Sequence, residues 1–271
     1  MELENQIAIV TGAGGGIGEG VALILAREGA TVIVNDISAD NARRVADQIV
    51  SKGDKAVAFQ ADVSNKTEVE AMVRDTLNRF GTIDILVNNA GIGGSYRASV
   101  KDIGETEWDR TLAVNLKGAF LCCQAVLPTM IEKRKGKIVN VASLAAHRMG
   151  FLTGADYTTS KAGLRGFSHH LAHEVAQYGV NVNVLCPGLT ISPMLAGHST
   201  EEARKLMAKD LPLGAVATPD DQAEAVLFLV SKRSAMVTGH TLDVDSGQQL
   251  GWGGNYLEDI ERRRKGDPGG K

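Results

Sequence analysis

The sequence has few of the features that mark secreted, membrane-spanning or nucleic-acid-binding proteins. Only three of its 271 residues are cysteines, and they lack the paired spacings that hold zinc or build a disulfide framework. No uninterrupted apolar run approaches the length of about 18 residues that a membrane-spanning helix needs. A formal net charge of -3 provides no cationic field to attract a nucleic-acid backbone or an anionic membrane. We therefore expect neither nucleic acid nor membrane as a partner, and we interpret Cys122, Cys123 and Cys186 as reduced core residues.

The composition is that of a globular protein. Hydrophobic residues make up 44% and charged residues 23% of the chain, with 31 glycines and only 6 prolines. The first residues, Met1 to Gln6, are acidic and polar and lead directly into an apolar segment, so no secretory signal is visible. From these observations we predict a cytoplasmic protein.

A glycine-rich turn joins the first predicted strand, Ile7–Val10, to a predicted helix over residues 17–28. The turn reads Thr11-Gly-Ala-Gly-Gly-Gly-Ile-Gly18. Glycine permits positive φ and close approach of the backbone to a ligand, and a helix N-terminus offers unpaired N–H groups and the positive end of a dipole. This arrangement suits a pyrophosphate, although a merely flexible glycine loop has the same composition.

An acidic residue, Asp36, follows the second predicted strand, residues 31–35. A carboxylate at this position can hydrogen-bond a ribose 2′-OH and repel a 2′-phosphate. Together with the glycine turn it predicts binding of a dinucleotide, and NAD rather than NADP. Arg43 and Arg44 stand close behind, where they would either reach a 2′-phosphate or belong to a solvated helix face.

Predicted strands and helices alternate along the chain, which indicates an α/β doubly wound domain. After the second strand we predict strands over residues 55–61, 83–87, 137–142, 180–186 and 241–244. The predicted helices cover residues 39–51, 66–80, 104–133, 157–179, 201–209 and 219–230. We therefore expect a seven-stranded parallel sheet with helices on both faces. Residues 1–250 form a single domain with an irregular lid segment at about 189–212, and residues 251–271 form a polar tail.

Polar residues stand at or beyond the ends of two predicted strands. Asn88-Asn89-Ala90-Gly91 ends the fourth strand and Ser143 ends the fifth, at the sheet edge where ligands of this architecture bind. A capped turn explains the first motif nearly as well. Asn115 lies inside the predicted helix 104–133, where asparagine is an indifferent helix former, so its amide is available to serve another group.

Tyr157 and Lys161 are four residues apart in a predicted helix and are therefore neighbours on one face. A positive charge beside a phenol favours the phenolate, so we expect Lys161 to lower the pKa of Tyr157. Such a pair can move a proton to or from an alcohol. The same spacing also occurs by chance on solvated helix faces, so the pair alone does not decide the function.

Together these motifs resemble those of the short-chain dehydrogenase/reductase family. The resemblance covers roughly residues 5–250 and includes, in order, Thr11-Gly-x-x-x-Gly16-x-Gly18, Asp62, Asn88-Asn-Ala-Gly91, Asn115, Ser143, Tyr157-x-x-x-Lys161 and Pro187-Gly188. It implies a Rossmann-type fold and hydride transfer between NAD(H) and a secondary alcohol or ketone. It also implies a homotetramer packed through the helices predicted at 104–133 and 157–179.

The resemblance assigns four catalytic residues. Tyr157 would be the general acid/base, and Lys161 would lower its pKa and hold the nicotinamide ribose. Ser143 would hydrogen-bond the reacting oxygen, and Asn115 would hold a water that links Lys161 to solvent. The implied cofactor-binding residues are Gly12, Gly16, Ile17, Gly18, Asp36, Asp62, Val63, Asn89, Tyr157, Lys161, Pro187, Gly188, Thr190 and Ser192. Ser192 is a departure, because many members have threonine there.

Two alternatives stay open at this stage. One is an NADP-dependent ketoreductase, for example one that acts on carrier-bound 3-ketoacyl groups. The other is a non-catalytic dinucleotide sensor or scaffold on the same fold, since a fold does not determine a function. One observation argues against the sensor or scaffold: a protein that only binds a dinucleotide would not need all four of Ser143, Tyr157, Lys161 and Asn115.

The resemblance places the substrate beside the stretches that follow Ser143 and the Asn-Asn-Ala-Gly turn. Each stretch contains an arginine, Arg148 or Arg97, whose planar fork can hold a carboxylate or sulfonate. Alternatively, both arginines pair with carboxylates at the surface or on another subunit. Apolar side chains that would enclose an aliphatic ring are Leu144, Met149, Phe151, Leu152, Met194 and Leu195. We expect a compact secondary alcohol or cyclic ketone with a polar or anionic group.

Three histidines, His169, His170 and His173, lie on the predicted helix 157–179. They would either hold a metal or be neutral residues at a surface or interface. We expect the latter and no metal site.

Overall fold

The computed structural model describes residues 1–96, 98–149, 153–197, 199–251 and 264–265, and its centre is one parallel sheet. The strands are β1 (Ile7–Val10), β2 (Thr31–Asp36), β3 (Lys55–Gln60), β4 (Ile85–Asn88), β5 (Gly136–Val141), β6 (Val180–Pro187) and β7 (Thr241–Val244). Their spatial order is β3-β2-β1-β4-β5-β6-β7, and every neighbouring pair is parallel. The predicted seven-stranded parallel sheet is confirmed.

Helices cover both faces of this sheet. They are α1 (Gly16–Arg27), α2 (Ala39–Ser51), α3 (Lys66–Phe80), α4 (Glu105–Leu112), α5 (Gly118–Lys133), α6 (Ala155–Val175), α7 (Pro193–Ala196), α8 (Glu201–Lys209) and α9 (Pro219–Val230). Residues of α1, α2 and α9 share one buried apolar cluster with the sheet, and residues of α3, α5 and α6 share another. Strand β1 is buried on both faces, because Ala8 and Val10 belong to the first cluster and Ile9 to the second.

Side-chain caps explain why several helices begin where the sequence predicts. Ser38 accepts a hydrogen bond from the Asn41 N–H at the start of α2. Thr218 and Asp221 form a reciprocal capping box at the start of α9. The predicted bounds of α2, α3, α8 and α9 are confirmed.

The helix predicted over residues 104–133 contains a wide turn. Residues Ala113–Lys117 between α4 and α5 are in π-helical geometry, and Asn115 lies in the middle of that segment. Taken as one helix, Glu105–Lys133 passes a test of length and composition for crossing a membrane. Of its most apolar window 44% is buried in the protein, and a core helix of a soluble protein passes the same test.

The order of the strands changes direction between β1 and β4, and this change determines where a crevice forms at the sheet edge. Strands β2 and β3 lie to one side of β1, whereas β4 to β7 lie to the other. The loops that follow β1 and β4 therefore diverge and leave a crevice at the carboxyl ends of these strands.

The lid segment predicted at residues 189–212 contains α7, which the sequence did not predict, and α8. Its function as a lid and the single-domain organisation remain predictions. Most of the predicted tail, residues 252–263 and 266–271, falls outside the described residues.

Candidate active site

A cavity of about 560 Å³ opens at this edge of the sheet. It extends from the glycine turn after β1 to Lys161 on α6 and is bordered by the segments that follow β4, β5 and β6. Predicted site residues that line it are Gly12, Gly16, Ile17, Asp36, Asn89, Ser143, Tyr157, Lys161, Pro187, Gly188, Thr190 and Ser192. The structure thus brings together residues that are far apart in the sequence.

The glycine turn is held in a conformation that requires glycine. Gly12 and Gly16 have φ of 60° and 58°, in the left-handed region. The Asn89 side-chain amide donates to the carbonyls of Thr11 and Gly12 at 3.0 and 2.9 Å, and thereby fixes the turn against the end of β4. A Cβ on Gly18 would collide with the Gly12 carbonyl. Gly18 therefore packs directly against the backbone of the turn, and it does not line the cavity.

The Asp36 carboxylate lines the cavity beside the glycine turn. It accepts hydrogen bonds from the N–H groups of Gly14 at 3.0 Å and Ser38 at 2.9 Å. Arg44 approaches the same region, but its guanidinium donates to both carboxylate oxygens of Glu19 at 2.8 and 2.9 Å and to the Gly14 carbonyl at 2.9 Å. These contacts engage Arg44 within the protein.

Tyr157 is buried at the start of α6, and its phenol is the proton-transfer candidate of the site. Burial raises the pKa of Tyr157, and the hydrogen bond with Ser143 opposes this shift without cancelling it. The direction is opposite to the sequence-based expectation, because desolvation of the buried phenolate outweighs the hydrogen bond from Ser143. The Lys161 nitrogen lies 5.7 Å from the centre of the Tyr157 ring.

The buried Lys161 ammonium is fixed at the floor of the cavity. It donates to the Val141 carbonyl at 3.0 Å, at the end of β5. Burial lowers its pKa to about 8, so a large share of these side chains is still protonated near neutral pH. Lys161 therefore supplies a positive charge within the same cavity as Tyr157.

Asn115 fixes the loop that follows β4. Its amide oxygen accepts from the Ile92 N–H at 2.8 Å, and its amide nitrogen donates to the Ile92 carbonyl at 2.9 Å and to the Ser160 hydroxyl at 3.1 Å. A Cβ on Gly91 would lie 3.3 Å from both the Asn115 oxygen and the Lys161 nitrogen. The glycine therefore keeps open a small space between these two polar groups.

Asp62, Val63 and Asn115 do not line the cavity as described, although the family resemblance implies contacts or roles there. The Asp62 carboxylate accepts from the N–H and the hydroxyl of Ser64 in its own turn. Val63 packs against α5, where a Cβ on Gly118 would lie 2.8 Å from its Cγ2. Thr190 and Ser192 line the cavity, and each hydroxyl already has a partner: Thr190 donates to the Gly188 carbonyl and Ser192 accepts from the Leu195 N–H.

Sequence reasoning missed a buried carboxylate, Asp156, next to Tyr157 in the chain. Asp156 is fully buried, and one of its oxygens accepts from the Ser95 N–H at 2.8 Å, the Ser95 hydroxyl at 3.2 Å and the Thr111 hydroxyl at 3.0 Å. It thereby ties α6 to α4 and to the loop that follows β4. An acidic residue in the first turn of a helix is common, so the sequence contained no signal of this role. Asn41 and Gln248 also line the cavity and were not predicted.

A second group of polar residues lies beside the cavity. The His147 Nε2 lies 2.8 Å from an Asp243 carboxylate oxygen, and its Nδ1 lies 2.9 Å from an Arg165 nitrogen. Because guanidinium only donates, the imidazole accepts at Nδ1 and carries its proton at Nε2. His147, Asp243 and the buried Cys186 offer metal-ligand atoms within 4.8 Å of one another. The Cys186 pKa is raised to about 12 by burial and His147 already donates to Asp243, which both work against metal binding.

The three histidines on α6 are exposed. His169 contacts the Thr241 hydroxyl at 3.0 Å, and His170 lies 3.9 Å from Glu174. In the described parts of the chain they do not form a group of metal ligands. Arg97, Phe151 and Leu152, which we predicted on the substrate side, lie outside the described residues.

Comparisons with known proteins show which family the chain resembles in sequence. A family model described as Enoyl-(Acyl carrier protein) reductase matches residues 12–249. The chain is 39% identical over 250 residues to the (2S)-[(R)-hydroxy(phenyl)methyl]succinyl-CoA dehydrogenase subunit BbsD of Thauera aromatica, with 92% of this chain and 99% of that protein covered. It is 38% identical over 247 residues to the 3-oxoacyl-[acyl-carrier-protein] reductase FabG of Staphylococcus epidermidis, with 91% and 100% covered.

A solved structure has the same fold. The structure of 7α-hydroxysteroid dehydrogenase complexed with NADH and 7-oxo glycochenodeoxycholic acid superposes with a TM-score of 0.85 at 33% identity, covering 91% of this chain and 95% of that chain. The sequence motifs, the parallel sheet and these relatives lead to the same conclusion: this chain belongs to the short-chain dehydrogenase/reductase family of oxidoreductases.

Proposed function

We propose that this protein transfers a hydride between NAD(H) and a secondary alcohol or ketone. The observation that carries the proposal is the buried phenol of Tyr157, hydrogen-bonded by Ser143, in one cavity with Lys161 and the glycine turn. A protein that only bound a dinucleotide would have no need of this combination. The coarser activity, that of an oxidoreductase using a nicotinamide dinucleotide, follows from family membership.

The residues present fit a nicotinamide dinucleotide. Helix α1 begins at Gly16 and has no side-chain cap. The N–H groups of its first turn are therefore available to a pyrophosphate. Asp36 lines the same cavity beyond the glycine turn, where a ribose hydroxyl would contact it. When bound, NAD+ supplies the hydride acceptor.

The protein groups perform the proton chemistry. In alcohol oxidation the Tyr157 phenolate accepts the hydroxyl proton, and the Ser143 hydroxyl donates a hydrogen bond to the substrate oxygen. Lys161 provides positive charge that stabilises the phenolate form of Tyr157, and a donor for the nicotinamide ribose. Asn115 holds the loop after β4, and the space beside Gly91 is where a water between Asn115 and Lys161 would lie. In ketone reduction the phenol returns the proton.

Asp36 supports NAD over NADP. A 2′-phosphate at this position would face a carboxylate. The nearest candidate cation, Arg44, is paired with Glu19, and Arg43 lies 3.6 Å from Asp40 on the exposed side of α2. A 2′-phosphate would therefore be repelled by the Asp36 carboxylate. Arg44 could bind it only after its bidentate ion pair with Glu19 had broken.

A second candidate is an NADP-dependent reductase of carrier-bound 3-ketoacyl groups. The observation in its favour is the 38% identity to a 3-oxoacyl-[acyl-carrier-protein] reductase over nearly the whole chain. For either function we propose a homotetramer packed through α4, α5 and α6, a cytoplasmic location, and the dinucleotide contacts implied for Asp62, Val63, Thr190 and Ser192.

Turnover of a panel of secondary alcohols and ketones with NAD(H) and NADP(H) tests the proposal. We expect reduced-nicotinamide absorbance to change with NAD(H) and at least one compact secondary alcohol or ketone. Higher kcat/KM with NADPH and a carrier-bound 3-ketoacyl substrate would favour the second candidate. Binding of NADH without turnover of any panel member would contradict both enzymes.

A further inference from the structure

The segment that follows Ser143 is held in place from two sides. Arg165 on α6 donates to the Ala146 carbonyl at 3.2 Å and to His147 at 2.9 Å. On the other side of the ring, His147 contacts Asp243 of β7 at 2.8 Å. Because both sides of the imidazole are engaged, the backbone at His147 has a defined position. The next residue, Arg148, therefore follows a backbone segment that is fixed by these hydrogen bonds.

Arg148 lines the cavity and is half-buried. Within the parts of the chain that the structure describes, its guanidinium makes no hydrogen bond or ion pair. The alternative raised by the sequence, pairing with a surface carboxylate of the same chain, is thus not what these residues show. A guanidinium that loses part of its hydration without gaining a partner lowers stability, and a carboxylate in the cavity would offset that loss.

The other charged residues of the cavity do not compete for such a ligand. Among the described lining residues these are Asp36 and Lys161. Asp36 lies beside the glycine turn and accepts from Gly14, and Lys161 donates to Val141. Arg148 is therefore a cation without a partner in a cavity that also contains the Ser143 and Tyr157 hydroxyls.

Apolar side chains line the same cavity as Arg148. Leu144, Met149, Met194 and Leu195 all line it, together with Gly93 and Gly94 of the loop after β4. A ligand that matches this lining has a compact apolar body and one anionic group. We propose that Arg148 binds a carboxylate of the substrate, which is then a hydroxy or keto acid with an aliphatic or ring body. This inference rests on the proposed function and names its substrate class.

The test compares a hydroxycyclohexanecarboxylate with its methyl ester, with NAD, in wild type, Arg148→Gln and Arg79→Gln. Arg79 is a matched control, since it pairs with Asp75 on α3 away from the cavity. We expect wild type to prefer the acid in kcat/KM, and Arg148→Gln to lose about 10- to 100-fold for the acid, mainly through KM, with the ester unchanged. Arg79→Gln should behave as wild type.

A binding measurement separates this inference from the proposed activity. Calorimetric titration of cyclohexanecarboxylate, which has no reacting hydroxyl, into protein with NADH should show binding that Arg148→Gln abolishes and Arg79→Gln keeps. Such binding without turnover of any alcohol would contradict the proposed activity but support the anion site. Equal turnover of acid and ester, or equal carboxylate binding by wild type and Arg148→Gln, would overturn the anion site and leave the activity standing.

Discussion

The side-chain amide of Asn115 exchanges two hydrogen bonds with the backbone of Ile92, at 2.8 and 2.9 Å. The amide therefore satisfies both the N–H and the C=O of Ile92, as the backbone of a neighbouring strand does in a sheet. The π-helical turn Ala113–Lys117 contains Asn115, so the wide turn and this contact occur at the same point. The loop after β4 is thereby joined to the helix segment between α4 and α5.

We predict that Asn115→Ala destabilises the protein by roughly 1–3 kcal/mol, because it leaves the Ile92 N–H and C=O without their partner. Urea denaturation of the free protein measures the change. Gln177→Ala is a suitable control, since that exposed amide donates one hydrogen bond to the Glu174 carbonyl. Equal stability of the two variants would show that the Asn115 contact contributes little.

Replacing the phenol hydroxyl should separate binding from chemistry. For Tyr157→Phe we expect a fall in kcat of about 10²-fold or more, with NADH affinity nearly unchanged, because only the proton-transfer group is lost. The matched control is Tyr178→Phe, whose ring packs against the core beside α6 outside the cavity. Near-wild-type turnover by Tyr157→Phe would refute the assignment.

The pH dependence follows from two pKa shifts of opposite direction. Burial raises the pKa of Tyr157 above its ordinary value of 10 and lowers that of Lys161 to about 8. As the pH of the free protein rises, Lys161 therefore loses its charge before Tyr157 loses its proton. Positive charge on bound NAD+ favours the phenolate, so NAD+ should move this tyrosinate titration to lower pH. Difference ultraviolet absorbance against Tyr157→Phe measures it, and a titration that NAD+ leaves unmoved would contradict the electrostatic argument.

Asp36 should control the choice of dinucleotide. We expect Asp36→Ala to narrow the preference for NAD over NADP, because the charge that repels a 2′-phosphate is removed. The affinity for NAD should also decline, since Gly14 and Ser38 lose the acceptor that fixes the turn. Steady-state kcat/KM with both cofactors tests this. An unchanged ratio in the variant, or a wild type that prefers NADP, would refute the prediction.

Gly91 provides a test of the space between Asn115 and Lys161. Its φ is not positive, so alanine fits the backbone, but a Cβ would lie 3.3 Å from both polar atoms. We predict that Gly91→Ala lowers kcat while the urea midpoint changes little. Gly166→Ala on α6 is the control, because a Cβ there meets nothing within 4 Å. If both variants keep wild-type kcat, the space has no part in proton transfer.

The sequence by itself determined the architecture and most of the candidate site. Buried strands such as β1 are continuous apolar runs, so local patterns placed the strands and most of the helices. They missed α7 and the π-helical turn between α4 and α5. The glycine turn, Asp36 and the Tyr157–Lys161 pair were noticeable from residue type and spacing, whereas the role of Ser143 came from the family resemblance.

Only the tertiary structure decided how these groups are charged and paired. It showed that burial raises the pKa of Tyr157, that Arg44 is engaged by Glu19, and that Asp243 holds His147 although 96 residues separate them. Desolvation depends on how closely the surrounding elements pack, and long-range pairing depends on which strand ends become neighbours. Neither quantity is a property of a local stretch of chain, so no sequence pattern could reveal the buried Asp156 or the unpaired Arg148.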